Sequence, residues 1–196
     1  MLSSNTAVFV IDIQHDLLGD SQTEIPYAAR IKDAGTQILS AVRQLNASSQ
    51  KPSLVVFVQH EEPAESGSLV RGSEAWQLVF PPQSGLDHEI LVSKTTRDTF
   101  ETNPGLATEL KARGIDKIVA FGIQSECCVQ STCMGALDAG FQVTVLKGAH
   151  STYHGSKQQA EEIERSVEEL LRSRGAEVVE WEEEVRSWSA GVSASA

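Results

Sequence analysis

The sequence predicts an α/β domain in which helices cover both faces of a six-stranded parallel sheet. Six short runs rich in valine and isoleucine are typical of strands buried on both faces. Segments with apolar residues at helical spacing lie between most of these runs. Such alternation favours a three-layer, Rossmann-like sandwich, and 196 residues suit a single domain.

The predicted elements follow one another along the chain. The strands are expected at residues 7–13, 53–59, 89–93, 117–123, 142–148 and 176–180. A helix is expected between the first two strands, where apolar residues recur every three or four positions: Ile31, Ala34, Ile38, Val42 and Leu45. Asn103-Pro104 and the capping box "SKQQ" (156–159) predict the starts of two further helices.

Two segments do not fit the alternation. Residues 60–88 form a long connection containing the apolar "EAWQLVFPP", so we expect this segment to fold over part of the domain. The chain ends in the small, polar "SWSAGVSASA". We therefore predict a domain over residues 1–185 and a flexible tail over residues 186–196.

Charge and hydropathy exclude several classes of partner. The net charge of −11 argues against nucleic acid and against anionic membrane surfaces. No apolar run approaches the roughly 18–20 residues that a membrane span needs. The apolar stretch near the N-terminus is short and ends in acidic residues, so it resembles a strand and not a signal peptide. A cytoplasmic, reducing location is predicted.

All three cysteines lie in "FGIQSECCVQSTCMGALDAG" (121–140). An odd count, with Cys127 and Cys128 adjacent, disfavours a disulfide framework. There is no C-x-x-C pair for zinc or for a thioredoxin-type redox site. Two interpretations remain: a small buried side chain, or thiolate chemistry.

Polar residues stand where three predicted strands end, at the edge where open parallel sheets bind ligands. The first strand ends in Asp12, Lys94 ends the third, and the fourth leads to Ser125. As an N-cap, Ser125 would place Cys128 in the first helical turn, where the partial positive charge favours a thiolate. Taken singly, Asp12 could cap a turn, Lys94 could be a surface lysine and Cys128 could be inert. Together they suit nucleophilic acyl transfer.

The helical spacing separates the three cysteines. Cys133 shares the apolar face of Val129, Ala136 and Leu137, so it is expected in the core. Cys128 is flanked by small groups that leave room for a ligand. Spacing leaves Cys127 undecided.

Three motifs, in order, resemble the isochorismatase-like cysteine hydrolases, the superfamily of nicotinamidase and N-carbamoylsarcosine amidohydrolase. "VFVIDIQHD" looks like the family's first-strand motif, which ends in a catalytic Asp. "VSKTTRDTFETNPGLATEL" is similar to its lysine motif, and "GIQSECCVQSTCMGALDAGFQVTVLKGAHST" to its nucleophile motif. The resemblance covers residues 5–180.

The resemblance implies a role for each motif residue. Asp12 would be the base, Lys94 its electrostatic partner and Cys128, aligned by its Cys-Val pair, the nucleophile. A cis peptide would join Ile123 to Gln124 and aim the amides of Gln124 and Cys128 at an oxyanion. The family position of Phe100 makes it a candidate for binding substrate, together with Gln14 and Trp76.

The chain departs from the family pattern at several positions. Nicotinamidases carry a metal site with an Asp-x-His motif after the second strand, where this chain has "VQHEEP" (58–63). We therefore predict no metal and no other cofactor. Ser125-Glu126 replaces the usual Thr-Asp, which suggests a subgroup away from nicotinamidase.

Four functions remain open from the sequence. One of them, a cysteine-based redox protein, would need a resolving thiol beside Cys128, and only Cys127 is near. The favoured one is hydrolysis of a small-molecule amide or other C–N bond through a thioester. The alternatives are hydrolysis of a vinyl ether, as in isochorismatase, and a non-catalytic binding or scaffold protein on the same fold. A homo-oligomer, dimer or tetramer, is expected.

Overall fold

The computed structural model describes residues 2–65 and 67–190. Its strands form one six-stranded sheet in which all neighbours are parallel, as predicted. The strands are β1 (Thr6–Ile11), β2 (Leu54–His60), β3 (Glu89–Lys94), β4 (Lys117–Ile123), β5 (Gln142–Ser151) and β6 (Glu177–Glu180). Their spatial order is β3-β2-β1-β4-β5-β6, with β1 and β4 at the centre.

Helices connect most of the strands. They are α1 (His15–Leu18), α2 (Ala28–Ala47), α3 (Thr99–Thr102), α4 (Leu106–Ala112), α5 (Gln130–Asp138), α6 (Ala160–Ser173) and α7 (Trp181–Ala190). A π-helical turn, Ser125–Val129, links β4 to α5. None of these helices is long and apolar enough to cross a membrane.

Two apolar cores lie on opposite faces of the sheet, because successive strand residues point to opposite sides. On β1, Phe9 faces the core that includes residues of α4, α5 and α6. Val8 and Val10 face the other core, which includes residues of α2 and α7. The three-layer arrangement is therefore confirmed.

Two helices begin later than the sequence predicts. Asn103 ends α3, and its side-chain amide donates to the carbonyls of Ser93 and Thr99. The helix expected to start at Asn103-Pro104 therefore begins at Leu106. In the other case the N-cap of α6 is Gln159, which forms a capping box with Glu162. The cap lies three residues beyond the predicted one because the glutamine side chain takes the role expected of Ser156.

The predicted boundary after residue 185 is wrong. Helix α7 continues to Ala190, and Trp188 is 1 % exposed within the core. The Trp188 indole N–H donates to Glu184 over 3.0 Å. Burial of this tryptophan fixes the helix, so residues 186–190 belong to the domain, and residues 191–196 lie outside the described residues.

The long segment between β2 and β3 folds back over the domain, as predicted. Gln77 accepts a backbone hydrogen bond from His15, and the Val79 amide donates to the Ile13 carbonyl. The Phe80 ring lies against Gly35 of α2, where an added Cβ would come within 2.6 Å of it. This segment therefore holds α1 against the carboxyl end of the sheet.

Candidate active site

The three residues of the predicted triad converge at the carboxyl edge of the sheet. Asp12 directly follows β1, Lys94 is the last residue of β3, and Cys128 lies in the π-helical turn after β4. Asp12 and Lys94 come from strands separated by β2, so the lysine side chain has to reach past this strand. The chain thus brings together groups that are 34 to 116 residues apart in sequence.

The Lys94 ammonium is the centre of the cluster. Its Nζ lies 2.6 Å from Asp12 Oδ2, 3.1 Å from Cys128 Sγ and 3.2 Å from His60 Nδ1. It also donates to the Thr96 carbonyl over 3.1 Å. The side chain of Lys94 is 0 % exposed and that of Asp12 is 2 % exposed, so each charge depends on the other for compensation.

The charge state of Lys94 follows from two opposing effects. Burial alone would lower the pKa of its ammonium, since a low dielectric disfavours charge. Attraction to Asp12 and to Cys128 outweighs burial and leaves the pKa above its ordinary value. Lys94 is therefore a permanent cation at neutral pH.

The Cys128 thiol is protonated at rest, which corrects the expectation that the start of a helix favours its thiolate. Burial raises the pKa of the thiol, and the nearby Asp12 carboxylate raises it further, although Lys94 opposes both effects. The partial positive charge at the start of a single π-helical turn is too small to offset the cost of burying a thiolate. The thiol therefore needs a base that acts during its attack.

Asp12 is placed to be that base. Its side chain lines the same cavity as Cys128, and neither carboxylate oxygen has a hydrogen bond among the described residues. The 2.6 Å contact with Lys94 has the length of an ion pair without the angles of a hydrogen bond. Asp12 is also the one described non-glycine residue with positive φ, at 49°. Oδ2 is thus held by the Lys94 ammonium, and Oδ1 is the oxygen available to accept a proton.

A close approach of two strands shapes the nucleophile turn. Gly122 has φ of 143°, and a Cβ there would lie 2.1 Å from the Ile11 carbonyl oxygen. Glycine is required at this position because no side chain fits between the strands. The next peptide, Ile123 to Gln124, is cis, at the position that the family resemblance implies.

The turn itself differs from a standard helix start. Gln124, and not Ser125, occupies the N-cap position, and its carbonyl accepts from the amides of Cys127 and Val129. The buried Ser125 hydroxyl instead contacts His150 Nδ1 at 2.8 Å. The prediction that Ser125 caps the helix is therefore wrong, because a buried imidazole competes for its hydroxyl.

A cavity of about 310 Å³ opens onto Cys128. Its lining includes four predicted residues and several that the sequence argument did not assign to a pocket. The lining residues are Asp12, Asp16, Leu17, His60, Glu62, Ser68, Leu69, Arg97, Ile123, Gln124, Cys127, Cys128 and Tyr153. The volume suits a small molecule or one end of a larger one.

The three predicted substrate-binding side chains do not line this cavity. Gln14 is fully buried, and its amide bonds the backbone of His60 and the Trp76 carbonyl. Trp76 lies in the long segment between β2 and β3, and its carbonyl accepts the hydrogen bond from Gln14. Phe100 packs between Phe9 and Phe141 in the core. The Gln14 amide and the Phe100 ring are therefore already used by the fold.

Position at strand ends could have identified some of the lining residues that were missed. Tyr153 follows β5, and Arg97 lies three residues after Lys94 at the end of β3. Leu69 and Ser68 belong to the long segment, whose path the sequence does not define. The absence of periodicity there left no signal for them.

Asp12, His60 and Cys128 are the described residues that could hold a metal ion, with ligand atoms within 4.8 Å of one another. The Lys94 ammonium touches all three residues, so a positive charge already occupies this position. A second cation would be repelled, and these residues therefore do not fit a metal. Burial and the Lys94 charge also lower the pKa of His60, which makes its imidazole neutral.

The other two cysteines have different surroundings. Cys133 is 1 % exposed in the core, and burial raises the pKa of its thiol to about 12. Its predicted place in the core is confirmed. Cys127 is half-buried and lines the cavity, and burial together with Glu126 raises its pKa.

Comparison with known proteins identifies the family. The model of the isochorismatase domain matches residues 6–183. The chain belongs to the isochorismatase family. It is 31 % identical over 171 residues to a streptothricin hydrolase of Streptomyces noursei, covering 87 % of this chain and 58 % of that protein. The chain thus spans about three fifths of the length of this relative.

Two solved structures share the fold. A cysteine hydrolase from Pseudomonas syringae pv. phaseolicola 1448A matches with a TM-score of 0.80 and 20 % identity, covering 95 % of this chain and 93 % of that one. An isochorismatase-like hydrolase from Alkaliphilus metalliredigens matches with a TM-score of 0.77 and 22 % identity, covering 93 % and 98 %. At these identities the likeness concerns the fold.

Proposed function

We propose that this isochorismatase-family chain is a cysteine-dependent hydrolase that cleaves an amide or other C–N bond of a small molecule through a thioester. The observation that carries the proposal is the buried Lys94 ammonium in contact with both the Asp12 carboxylate and the Cys128 sulfur. A carboxylate, a fixed cation and a thiol at one cavity provide a base, a counter-charge and a nucleophile.

In the first half of the reaction, Cys128 Sγ attacks the amide carbonyl as its proton passes to Asp12. Lys94 stabilises the sulfur as negative charge develops on it and loses some of its attraction to the neutralised Asp12. The tetrahedral intermediate then collapses. The C–N bond breaks, the proton on Asp12 moves to the leaving nitrogen, and a thioester of Cys128 remains.

In the second half, water replaces the amine. Asp12, again a carboxylate, takes a proton from water as the oxygen attacks the thioester carbonyl. The C–S bond breaks, the acid product leaves, and the proton returns from Asp12 to the Cys128 sulfur. The atoms balance as amide plus water giving carboxylic acid plus amine, with no redox step.

The proposed oxyanion hole is formed by the backbone N–H groups of Gln124 and Cys128. Both residues line the cavity, Gln124 as the N-cap of the turn after β4 and Cys128 within that turn. Donors fixed by the backbone need no reorganisation when charge appears on the carbonyl oxygen. This geometry favours acyl transfer over the vinyl-ether alternative, which does not need the cysteine as nucleophile.

Ammonia release from a panel of small primary amides and ureides tests the proposal. Turnover of at least one compound is expected, and Cys128→Ala should abolish it. Cys133→Ala serves as the matched control, since it removes a thiol from the adjoining helix outside the cavity. Full activity in Cys128→Ala would contradict the thioester route.

Covalent trapping supplies a second measurement. Rapid acid quenching during turnover should give a mass increase equal to the acyl group, located on Cys128 by peptide mapping. A small-molecule substrate agrees with the cavity volume. The cytoplasmic location and the homo-oligomer remain predictions.

A further inference from the structure

One wall of the cavity carries two carboxylates that the proposed mechanism does not use. Asp16 Oδ2 accepts a hydrogen bond from the Ser68 hydroxyl over 2.7 Å. Glu62 Oε2 accepts from the Leu69 amide over 3.2 Å. Because Ser68 and Leu69 are consecutive, the long segment holds both acids side by side on the cavity lining.

Neither acid is neutralised by a cation among residues 2–65 and 67–190. Asp16 has no ion pair there, and the single basic group within 4.0 Å of Glu62 is His60 Nε2. The His60 imidazole is neutral because burial and Lys94 lower its pKa. By contrast, the neighbouring Glu61 is paired with Arg71 over 2.7 Å and does not line the cavity.

A third carboxylate supports a ligand at this place. Asp12 lines the same cavity, its side chain is 2 % exposed, and its Oδ1 atom has no hydrogen-bond partner among the described residues. The positive charge on the lining is Arg97. Its charge favours the Cys127 thiolate, although burial and Glu126 outweigh it and leave the pKa of Cys127 raised. After Asp12 and Lys94 cancel, two negative charges face one positive charge.

The structure assigns Asp16 and Glu62 as specificity-determining residues: we propose that the substrate carries an ammonium or guanidinium group that binds them. This inference rests on the proposed function, because the scissile carbonyl is then the part of the same molecule that meets Cys128. Each carboxylate would form a charge-assisted hydrogen bond with the cation.

Charged thiol reagents test the cavity without knowledge of the substrate. Cys128 is modified with (trimethylammonio)ethyl methanethiosulfonate, which is cationic, and with sulfonatoethyl methanethiosulfonate, which is anionic. The Cys127→Ala protein is used so that Cys128 is the reacting thiol of the cavity. Each rate is divided by the rate of the same reagent with mercaptoethanol, which removes the intrinsic difference between reagents.

We expect the corrected cation-to-anion rate ratio to be about tenfold at low salt. Asp16→Asn combined with Glu62→Gln should bring the ratio close to one, and Arg97→Gln should increase it. The matched control is Glu182→Gln with Glu183→Gln, which makes the same change in net charge at two exposed residues of α7. A ratio of one or less in the unsubstituted cavity, or equal ratios in the double variant and the control, would overturn the proposal.

Hydrolysis assays separate this inference from the proposed function. Three primary amides of equal chain length are compared, ending in an ammonium, a methyl and a carboxylate group. The ammonium compound should have the lowest KM, and Asp16→Asn should raise that KM several-fold. If none of the three is hydrolysed while the thiol ratio is as expected, the amide hydrolase proposal fails and the charge preference stands.

Discussion

Two cysteines in consecutive turns of the chain have opposite surroundings. Cys128, in the π-helical turn, contacts Lys94 and lines a cavity that also contains Asp12. Cys133, five residues later in α5, is enclosed by apolar side chains of the core. Burial raises the pKa of both thiols, so the direction of the pKa shift does not distinguish them.

The difference between the two cysteines lies in their neighbours. A thiol with a raised pKa can still be a nucleophile when a base can take its proton during attack and a cation stabilises the sulfur. Cys133 is 1 % exposed and does not line the cavity, so a reacting carbonyl cannot reach it. We therefore propose that reactivity at this edge of the sheet depends on the Asp12–Lys94–Cys128 cluster and on access to it.

The largest expected difference between the two cysteines appears when each thiol is removed in turn. Cys128→Ala should lower kcat/KM by at least about 10⁴, since the covalent step has no substitute. Cys133→Ala should leave kcat/KM within about threefold of the unsubstituted protein. Steady-state kinetics on a substrate found in the amide panel measures both. Equal losses would mean that the two environments do not decide the chemistry.

The next largest effect concerns the ion pair beneath Cys128. Lys94→Met should cost about 3–5 kcal/mol of unfolding free energy, because it leaves the buried Asp12 carboxylate without a counter-charge. Urea denaturation measures this loss. Lys117→Met is the control, since Lys117 Nζ is 3.9 Å from Glu177 at a partly exposed site and should cost at most about 1 kcal/mol. Adding Asp12→Asn to Lys94→Met should restore part of the lost stability.

The pH dependence of the alkylation rate should differ between Cys128 and Cys133. Because the pKa of Cys128 lies above its ordinary value, its thiolate fraction should grow about tenfold per pH unit from pH 7 to pH 9. Its reaction with iodoacetamide should accelerate in the same proportion, while Cys133 stays unlabelled in the folded protein. Mass spectrometry of timed samples measures both rates. A rate at Cys128 that is independent of pH would reveal a thiolate already present at rest.

The smallest effect is the contribution of Cys133 to stability. Cys133→Ala should cost about 1–2 kcal/mol at pH 7, the usual result of a small cavity in a core. The folded thiol has a pKa of about 12, above the ordinary value of 9.0, so between these pH values the unfolded chain binds fewer protons than the folded one. Unfolding free energy therefore falls above pH 9 in the unsubstituted protein, and the difference from Cys133→Ala shrinks. A difference independent of pH from 7 to 10 would contradict the assigned burial.

The sequence predicted the sheet well because the strands are nearly continuous apolar runs. β1 and β4 are buried on both faces, and periodicity of this kind needs no tertiary information. The meeting of Asp12, Lys94 and Cys128 at one edge was also expected, since strand ends mark the ligand edge of a parallel sheet. Their catalytic roles follow from the family resemblance and stay a prediction. Their distances and charge states could not be predicted, because they depend on burial that no single strand determines.

The substrate side of the cavity could not be predicted for a related reason. Gln14 and Phe100 have side chains suited to binding, and the fold uses them elsewhere, in a buried backbone contact and an aromatic cluster. Ser68 and Leu69 lie in a segment without periodicity, so their contact with the cavity appears only in three dimensions. Local sequence does not show whether a polar side chain will bond to the fold or to a ligand.

The strand order has a consequence for how the protein acquires activity. β1 lies between β2 and β4, so the residue after β1 meets Lys94 and Cys128 only after strands from both halves of the chain have joined it. Such contacts between distant residues form late and slowly in folding. A chain emerging from the ribosome therefore lacks the assembled Asp12–Lys94–Cys128 cluster, and recovery of turnover after refolding would report completion of the central sheet.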